Sequence, residues 1–127
     1  MVADCERALE TGARLGARYV LIDPIHFDRA GNVASQIGSV APAQLAYLQL
    51  CDAPAARPTD LEGLLHQARA ERLLPGQGGL DLRGTLRAVP PDAPLSLEIP
   101  MRSSLLPAVE RAREALAAMR SFLAGAA

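Results

Sequence analysis

The stretch Tyr19-Val20-Leu21-Ile22-Asp23-Pro24 decides how this chain is read. Four apolar residues run without alternation and stop at an aspartate followed by proline. A run that short is a strand rather than a helix, and its lack of alternation predicts burial on both faces, the pattern of parallel sheets. Proline cannot donate to a ladder, so the strand ends at Ile22. Working outward, the same construction recurs twice. Ala46 to Cys51 is a second apolar run, ended by Asp52-Ala53-Pro54. Leu95 to Ile99 is a third, ended by Pro100.

Helical patterns fill the intervals. Residues 2–16 place Val2, Cys5, Leu9, Ala13 and Leu15 near helical spacing, with Gly16 as the stop. Residues 28–39 read as loop, and Pro42 opens a short helix over 42–45. Thr59 with Glu62 fits a capping box for a helix reaching about Leu73. Pro75-Gly76-Gln77-Gly78-Gly79 is a turn. Asp81 caps a helix ending near Val89, and Pro107 starts the last helix, which runs to about Ala124 with an apolar stripe of Val109, Ala112, Leu116, Met119 and Leu123. Strands alternating with helices predict an α/β fold of three parallel βα units. An all-α bundle fits poorly, because each apolar run is only about four to six residues long and bounded by proline.

Composition narrows the function. The chain has 127 residues, half of them hydrophobic, and a net charge of −1, which suits one packed domain and not a disordered segment. No uninterrupted apolar run reaches the roughly 18 residues of a membrane span. A net charge of −1, only four aromatic side chains and no Trp argue against a nucleic-acid partner. Met1 to Arg7 carries Asp4, Glu6 and Arg7 and no apolar leader core, so a cytoplasmic location is expected. Cys5 and Cys51 lack metal-type spacing and are expected to be reduced and buried.

Polar residues at the strand ends carry the chemistry. Asp23 closes the first run, with His26 three residues on. Gln49 lies inside the second and Glu98 inside the third. A carboxylate in a buried strand is costly unless it is paired or bound to a cation. In parallel barrels the C-terminal strand ends build the active site, so Asp23, Gln49 and Glu98 are expected to converge there. Oxygen donors of this kind suit a hard divalent cation, Mg²⁺ or Mn²⁺. Each residue also has an ordinary reading: Asp23 as a turn or cap residue, Gln49 as a satisfied core amide, His26 as a structural histidine. Glu98, between leucine and isoleucine, is hardest to read that way. Arg57, Arg69 and Arg72 are candidates for an anionic substrate group, but a solvated helix face is the more ordinary role for them; Arg72 stands with His26 as a substrate-binding candidate. His66 is expected to be exposed and inert. The glycine turn lacks the Lys-Ser/Thr of a phosphate-binding loop.

At Leu21–Phe27, Tyr47–Pro54, Pro75–Asp81 and Ser96–Pro100 the chain resembles the xylose-isomerase-like TIM-barrel family of sugar phosphate isomerases and epimerases. The order and spacing of these segments match the last three strands of that barrel. The resemblance implies the C-terminal part of a (β/α)8 TIM barrel. It implies Asp23 and Glu98 as metal ligands, His26 on substrate oxygens, and Glu98 as one of an acid/base pair. Many members carry His where this chain has Gln49. Gln followed by a Leu-Cys-Asp-Ala-Pro run looks like the 3-dehydroshikimate dehydratase branch, a metal-dependent lyase in which Gln serves as ligand. A complete barrel needs roughly 250 residues. The family's other metal-binding Glu would lie before Met1.

Three readings follow from that resemblance. One is a metal-dependent isomerase or epimerase acting by proton abstraction next to a carbonyl. A second is a dehydratase-like lyase on a cyclic hydroxy acid. The third is an inactive half-barrel. An open sheet with two free edges is expected to pair with a second copy or a complementary half.

Overall fold

The computed structural model describes residues 5–125. Helix α1 (Cys5–Arg14), strand β1 (Val20–Ile22), helix α2 (Pro24–Arg29), strand β2 (Leu45–Leu50), helices α3 (Leu61–Ala70) and α4 (Leu82–Ala88), strand β3 (Leu95–Leu97) and helix α5 (Ala108–Ala124) follow in order. The strands form one sheet in the order β1-β2-β3, both pairs parallel. Three parallel strands interleaved with helices are what the proline-bounded runs predicted. No helix among the described residues is long and apolar enough to cross a membrane.

The register fixes two unlike faces. Ile22 pairs with Leu48, and Leu50 with Leu97. Ile22, Leu48 and Leu50 are buried and join Ile25, Leu82 and Val89 in the core beneath the helices. The alternate residues Leu21, Tyr47, Gln49 and Ser96 occupy the opposite face, because successive side chains on a strand point to opposite sides. Leu21 is 43% exposed there. The expectation of burial on both faces therefore fails for β1.

Several boundaries differ from the sequence reading. Residues 24–29 form a helix where no helix was expected, because Asp23 caps it: the Asp23 side chain accepts from the Ile25 amide at 3.2 Å and Pro24 sits in the first turn. Residues 34–39 form a 3-10 helix rather than loop, and the short helix opened by Pro42 is a 3-10 turn over 42–44. The cap of α3 is Asp60, not Thr59: its carboxylate accepts from the Gly63 amide at 2.7 Å, and α3 ends at Ala70. Asp81 caps α4 as expected, accepting from Gly84 N at 2.8 Å. Val2 lies outside the described residues, as does the side chain of Cys5; Cys51 is free and buried.

Two arginines tie elements together. Arg29 is buried; its Nε donates to Gln67 Oε1 at 2.9 Å and its Nη2 to the Pro54 carbonyl at 2.6 Å, joining α2 to α3. Arg83 donates to the Gly125 carbonyl at 2.6 Å and stacks over Phe122, fastening the end of α5 to α4. Met119 and Phe122 pack on the core, whereas Val109 and Leu116 of the expected apolar stripe stay exposed.

Candidate active site at the strand ends

Each strand hands the chain to a polar residue at its C-terminal end. Asp23 follows β1, Cys51 follows β2 and Glu98 follows β3. By strand alternation all three continue the row of Leu21, Gln49 and Ser96, on the open face of the sheet. The ladder extends one bond past β3, the Glu98 amide donating to the Leu50 carbonyl at 3.3 Å.

Arg72 gathers these residues. It lies just beyond α3, in a segment whose backbone is tied to the strand ends: Leu73 N donates to Asp52 O at 2.8 Å and Arg72 N to Pro100 O at 3.0 Å. Its side chain is 3% exposed. Nη1 donates to Asp23 Oδ2 at 2.8 Å, to the Glu98 carbonyl at 3.2 Å and to Cys51 Sγ at 3.5 Å. Nη2 lies 2.9 Å from Glu98 Oε2 and 3.3 Å from His26 Nε2. Nε donates to the Ala68 carbonyl at 2.7 Å. Every edge of the guanidinium fork is thus used. Burial works against its charge, but the Asp23 carboxylate, with Glu98 beside it, outweighs that effect and holds its pKa above the ordinary arginine value.

The remaining members complete the cluster. His26 Nε2 is 3.9 Å from Asp23 Oδ2, and the ring is partly open to solvent. The Cys51 thiol donates to Asp23 Oδ1 at 3.6 Å. Burial first and the Asp23 charge second push its pKa up to about 12, so it stays a thiol at neutral pH.

Of the residues singled out from sequence, Asp23, His26, Arg72 and Glu98 meet at one place. Gln49 is on the same face, paired in register with Ser96, whose Oγ is buried without a partner. No hydrogen bond among the described residues links Gln49 to the Arg72 cluster. Two expectations need correction. Glu98 is not inside a buried strand: β3 stops at Leu97, and the Glu98 side chain is 51% exposed, so Arg72 and solvent share its charge. Arg72 is not on a solvated helix face, since α3 ends two residues earlier and its side chain turns inward. Arg57, Arg69 and His66 are exposed. Cys51 is a neighbour that sequence reasoning passed over; its position directly after a strand, in the frame of Gln49, was the available signal.

Asp52 holds the rim. It is 2% exposed, and its carboxylate accepts from Ala53 N at 2.8 Å, Gly76 N at 3.1 Å, Gly78 N at 2.9 Å and Leu80 N at 3.2 Å. The glycine turn therefore spends two of its amides, those of Gly76 and Gly78, on a carboxylate of its own chain. A Cβ at Gly78 would lie 2.3 Å from the Ala53 carbonyl, so the close approach requires glycine.

The donor set suits a divalent cation in its chemistry: two carboxylates and an amide oxygen, all from one face at the strand ends. In the arrangement seen, the Arg72 guanidinium stands on both carboxylates. Among the described residues no group of three or more His, Cys, Asp and Glu is gathered closely enough to hold a metal.

Comparison with known proteins bears on the fold. No family model matches the chain, and no curated protein matches it. Solved structures do. A xylose isomerase-like TIM barrel/4-hydroxyphenylpyruvate dioxygenase fusion protein superposes with a TM-score of 0.72 at 24% identity, covering 89% of this chain and 18% of that one. An IOLI protein with a bound zinc atom gives 0.72 at 19% identity, covering 98% of this chain and 44% of that one. A xylose isomerase domain protein from Alicyclobacillus acidocaldarius subsp. acidocaldarius gives 0.65 at 22%, with coverages of 95% and 43%. The chain thus shares the fold of part of a xylose isomerase-like TIM barrel, and spans less than half the length of each of these proteins.

Proposed function

We infer that this chain supplies late strands of a barrel active site that removes a proton from carbon next to a carbonyl. The observation that carries the reading is the convergence of Asp23, His26, Arg72 and Glu98 at the C-terminal ends of parallel strands, the place where such barrels do chemistry. The zinc in the IOLI structure supports a divalent metal in this fold. Asp23, Gln49 and Glu98 of this chain would hold it, with Mg²⁺ or Mn²⁺ favoured by their oxygen donors. When bound, a divalent metal supplies Lewis-acid stabilisation of the negative charge that develops on the carbonyl oxygen.

The chain's own residues divide the remaining work. Glu98 is half-exposed and reachable by a substrate, so it serves as the proton-transferring carboxylate. His26, partly open beside it, donates or accepts a hydrogen bond at a substrate hydroxyl. Asp23, capping α2 and bonded to Arg72, keeps a fixed position. The other strands, from the same polypeptide, a second copy or a complementary half, would close the barrel and supply the second acid/base. A small polar molecule, a sugar or a cyclic hydroxy acid, is the substrate.

Arg72 favours an acid over a neutral sugar. A substrate carboxylate would take the place of the Glu98 carboxylate on Nη2 and so free Glu98 to act as base. A 3-dehydroshikimate dehydratase-like lyase fits this exchange: Glu98 takes the proton next to the carbonyl, and the hydroxyl leaves as water after protonation. An isomerase or epimerase would use the same first step and return the proton elsewhere. The test is turnover of dehydroshikimate against a panel of ketoses and ketose phosphates by the purified protein with Mg²⁺ or Mn²⁺. Dehydration with kcat reduced about a hundredfold or more in Glu98→Gln supports the lyase. Ketose turnover with the same sensitivity supports the isomerase. A folded, metal-loaded protein inert on both overturns the proposal.

A further inference from the structure

We propose that a groove along α3 binds a small monocarboxylic acid with an apolar tail, its carboxylate between Arg69 and Arg102 and its tail on Leu65 and Leu61. The groove has a volume of about 560 Å³ and lies between one face of α3 and Arg102, in the segment after β3. That volume is in the range of small-molecule sites. The groove shares no lining residue with the Arg72 cluster, so the proposal stands apart from the reading of that cluster.

Helical spacing lays the groove out in order. Leu61, Leu65 and Arg69 are four residues apart and form one row along α3, about 12 Å long. Glu62, His66 and Ala70 form the row beside it. Arg102 is fixed at the C-terminal end of both rows: its amide donates to the Ala70 carbonyl at 2.8 Å, and the next pair, Glu71 and Met101, is bridged. Two guanidinium groups therefore belong to one end of the groove, and Leu61 and Glu62 to the other.

The charges at that end are unspent. Arg29, Arg72 and Arg83 each donate to a partner in the fold, but among the described residues neither the Arg69 nor the Arg102 side chain has a hydrogen bond or an ion pair. The whole chain carries a net charge of −1, so two cations on one groove are a local feature and not a reflection of composition. Arg69 and Arg102 against Glu62, with His66 neutral, leave a charge of +1 (2 − 1), which a single carboxylate neutralises. Glu62 would repel an acid placed at its own end, so the ligand has one orientation. Leu61 is 68% exposed, and a tail laid on it and on Leu65 takes apolar surface out of water.

Titration of octanoate into the purified ¹⁵N-labelled protein, followed by amide chemical shifts, tests this. Octanamide serves as the uncharged counterpart and acetate as the acid without a tail. Saturable shifts are expected at residues 61–70 and 102, with affinity for octanamide and for acetate each lower by about threefold or more. Arg69→Gln and Arg102→Gln change exposed side chains, and each should weaken octanoate by about threefold, with about tenfold lost in the double variant. Equal affinity for octanoate and octanamide, or no change in the double variant, reduces the groove to an apolar contact and overturns the proposal. Shifts confined to Asp23, His26 and Glu98 would place the acid on the Arg72 cluster and overturn it as well. So would the absence of saturable shifts below the micellar concentration of octanoate.

Discussion

Arg72 Nη1 lies 2.8 Å from Asp23 Oδ2, a pair of nearly solvent-free side chains 49 residues apart in sequence. This contact fixes the end of β1 to the segment beyond α3, and with it the floor of the candidate site. Removing the cation leaves a buried carboxylate with an amide and a thiol as its hydrogen-bond donors and the His26 ring 3.9 Å away. Arg72→Ala is therefore expected to cost about 3–5 kcal/mol in chemical denaturation. Glu98→Gln touches the same guanidinium from a half-exposed position and should cost less than about 1 kcal/mol. The two midpoints, measured side by side, check whether stability lies with the buried arm of the fork.

The rim rests on Asp52. Its four backbone amide bonds are to an ionised acceptor, each worth more than a neutral bond. Asp52→Ala should lose about 3 kcal/mol or more and open residues 75–79 to limited proteolysis. Gly78→Ala should reproduce the proteolytic nick without removing the acid, because the added Cβ presses on both the Ala53 carbonyl and the Asp52 carboxylate, with a loss of about 1–3 kcal/mol.

Cys51 gives a pH signature. Its thiol pKa is about 12 in the folded protein against an ordinary value of 9.0. The folded state thus holds a proton that the unfolded chain releases. Stability from this source is fully present below pH 9, and declines between about pH 9 and 12 with a slope approaching one proton. Comparing denaturation of the wild type with Cys51→Ala across that range isolates the slope. Alkylation at pH 8 should be far slower in the native protein than in denaturant.

The core and the exposed apolar surface should separate cleanly. Leu50 is fully buried between the sheet and the helices, and Leu50→Ala should cost about 2–5 kcal/mol. Leu105 is 98% exposed, and Leu105→Ala should stay within about 0.5 kcal/mol of wild type. Thermal melts of the two variants check the contrast.

The strands were legible because proline and aspartate punctuate each apolar run, and the register then follows from side-chain alternation. Asp81 announced its helix for the same local reason. Helix α2 was hidden because Asp23-Pro24 reads equally as a strand stop, and only the Asp23–Ile25 bond shows it also starts a helix. Asp60 displaced Thr59 as a cap because the two are adjacent and either oxygen has the right spacing. The long-range partners were out of reach of pattern reading. Nothing local distinguishes Arg72 from Arg69, one turned inward by the Leu73–Asp52 bridge and the other left on the surface. Glu98 looked buried because its neighbours are apolar; the strand ended one residue too soon.

Cys51 and Asp52 are consecutive, yet one closes the cluster under Arg72 and the other suspends the glycine turn. That peptide bond, together with the Leu73–Asp52 bridge, couples the cluster to the turn. Lengthening β2 by one residue would exchange their directions, aiming the acid into the cluster and the thiol at the turn. Natural variation in this strand should accordingly add or delete residues almost never, since its length keeps floor and rim in phase.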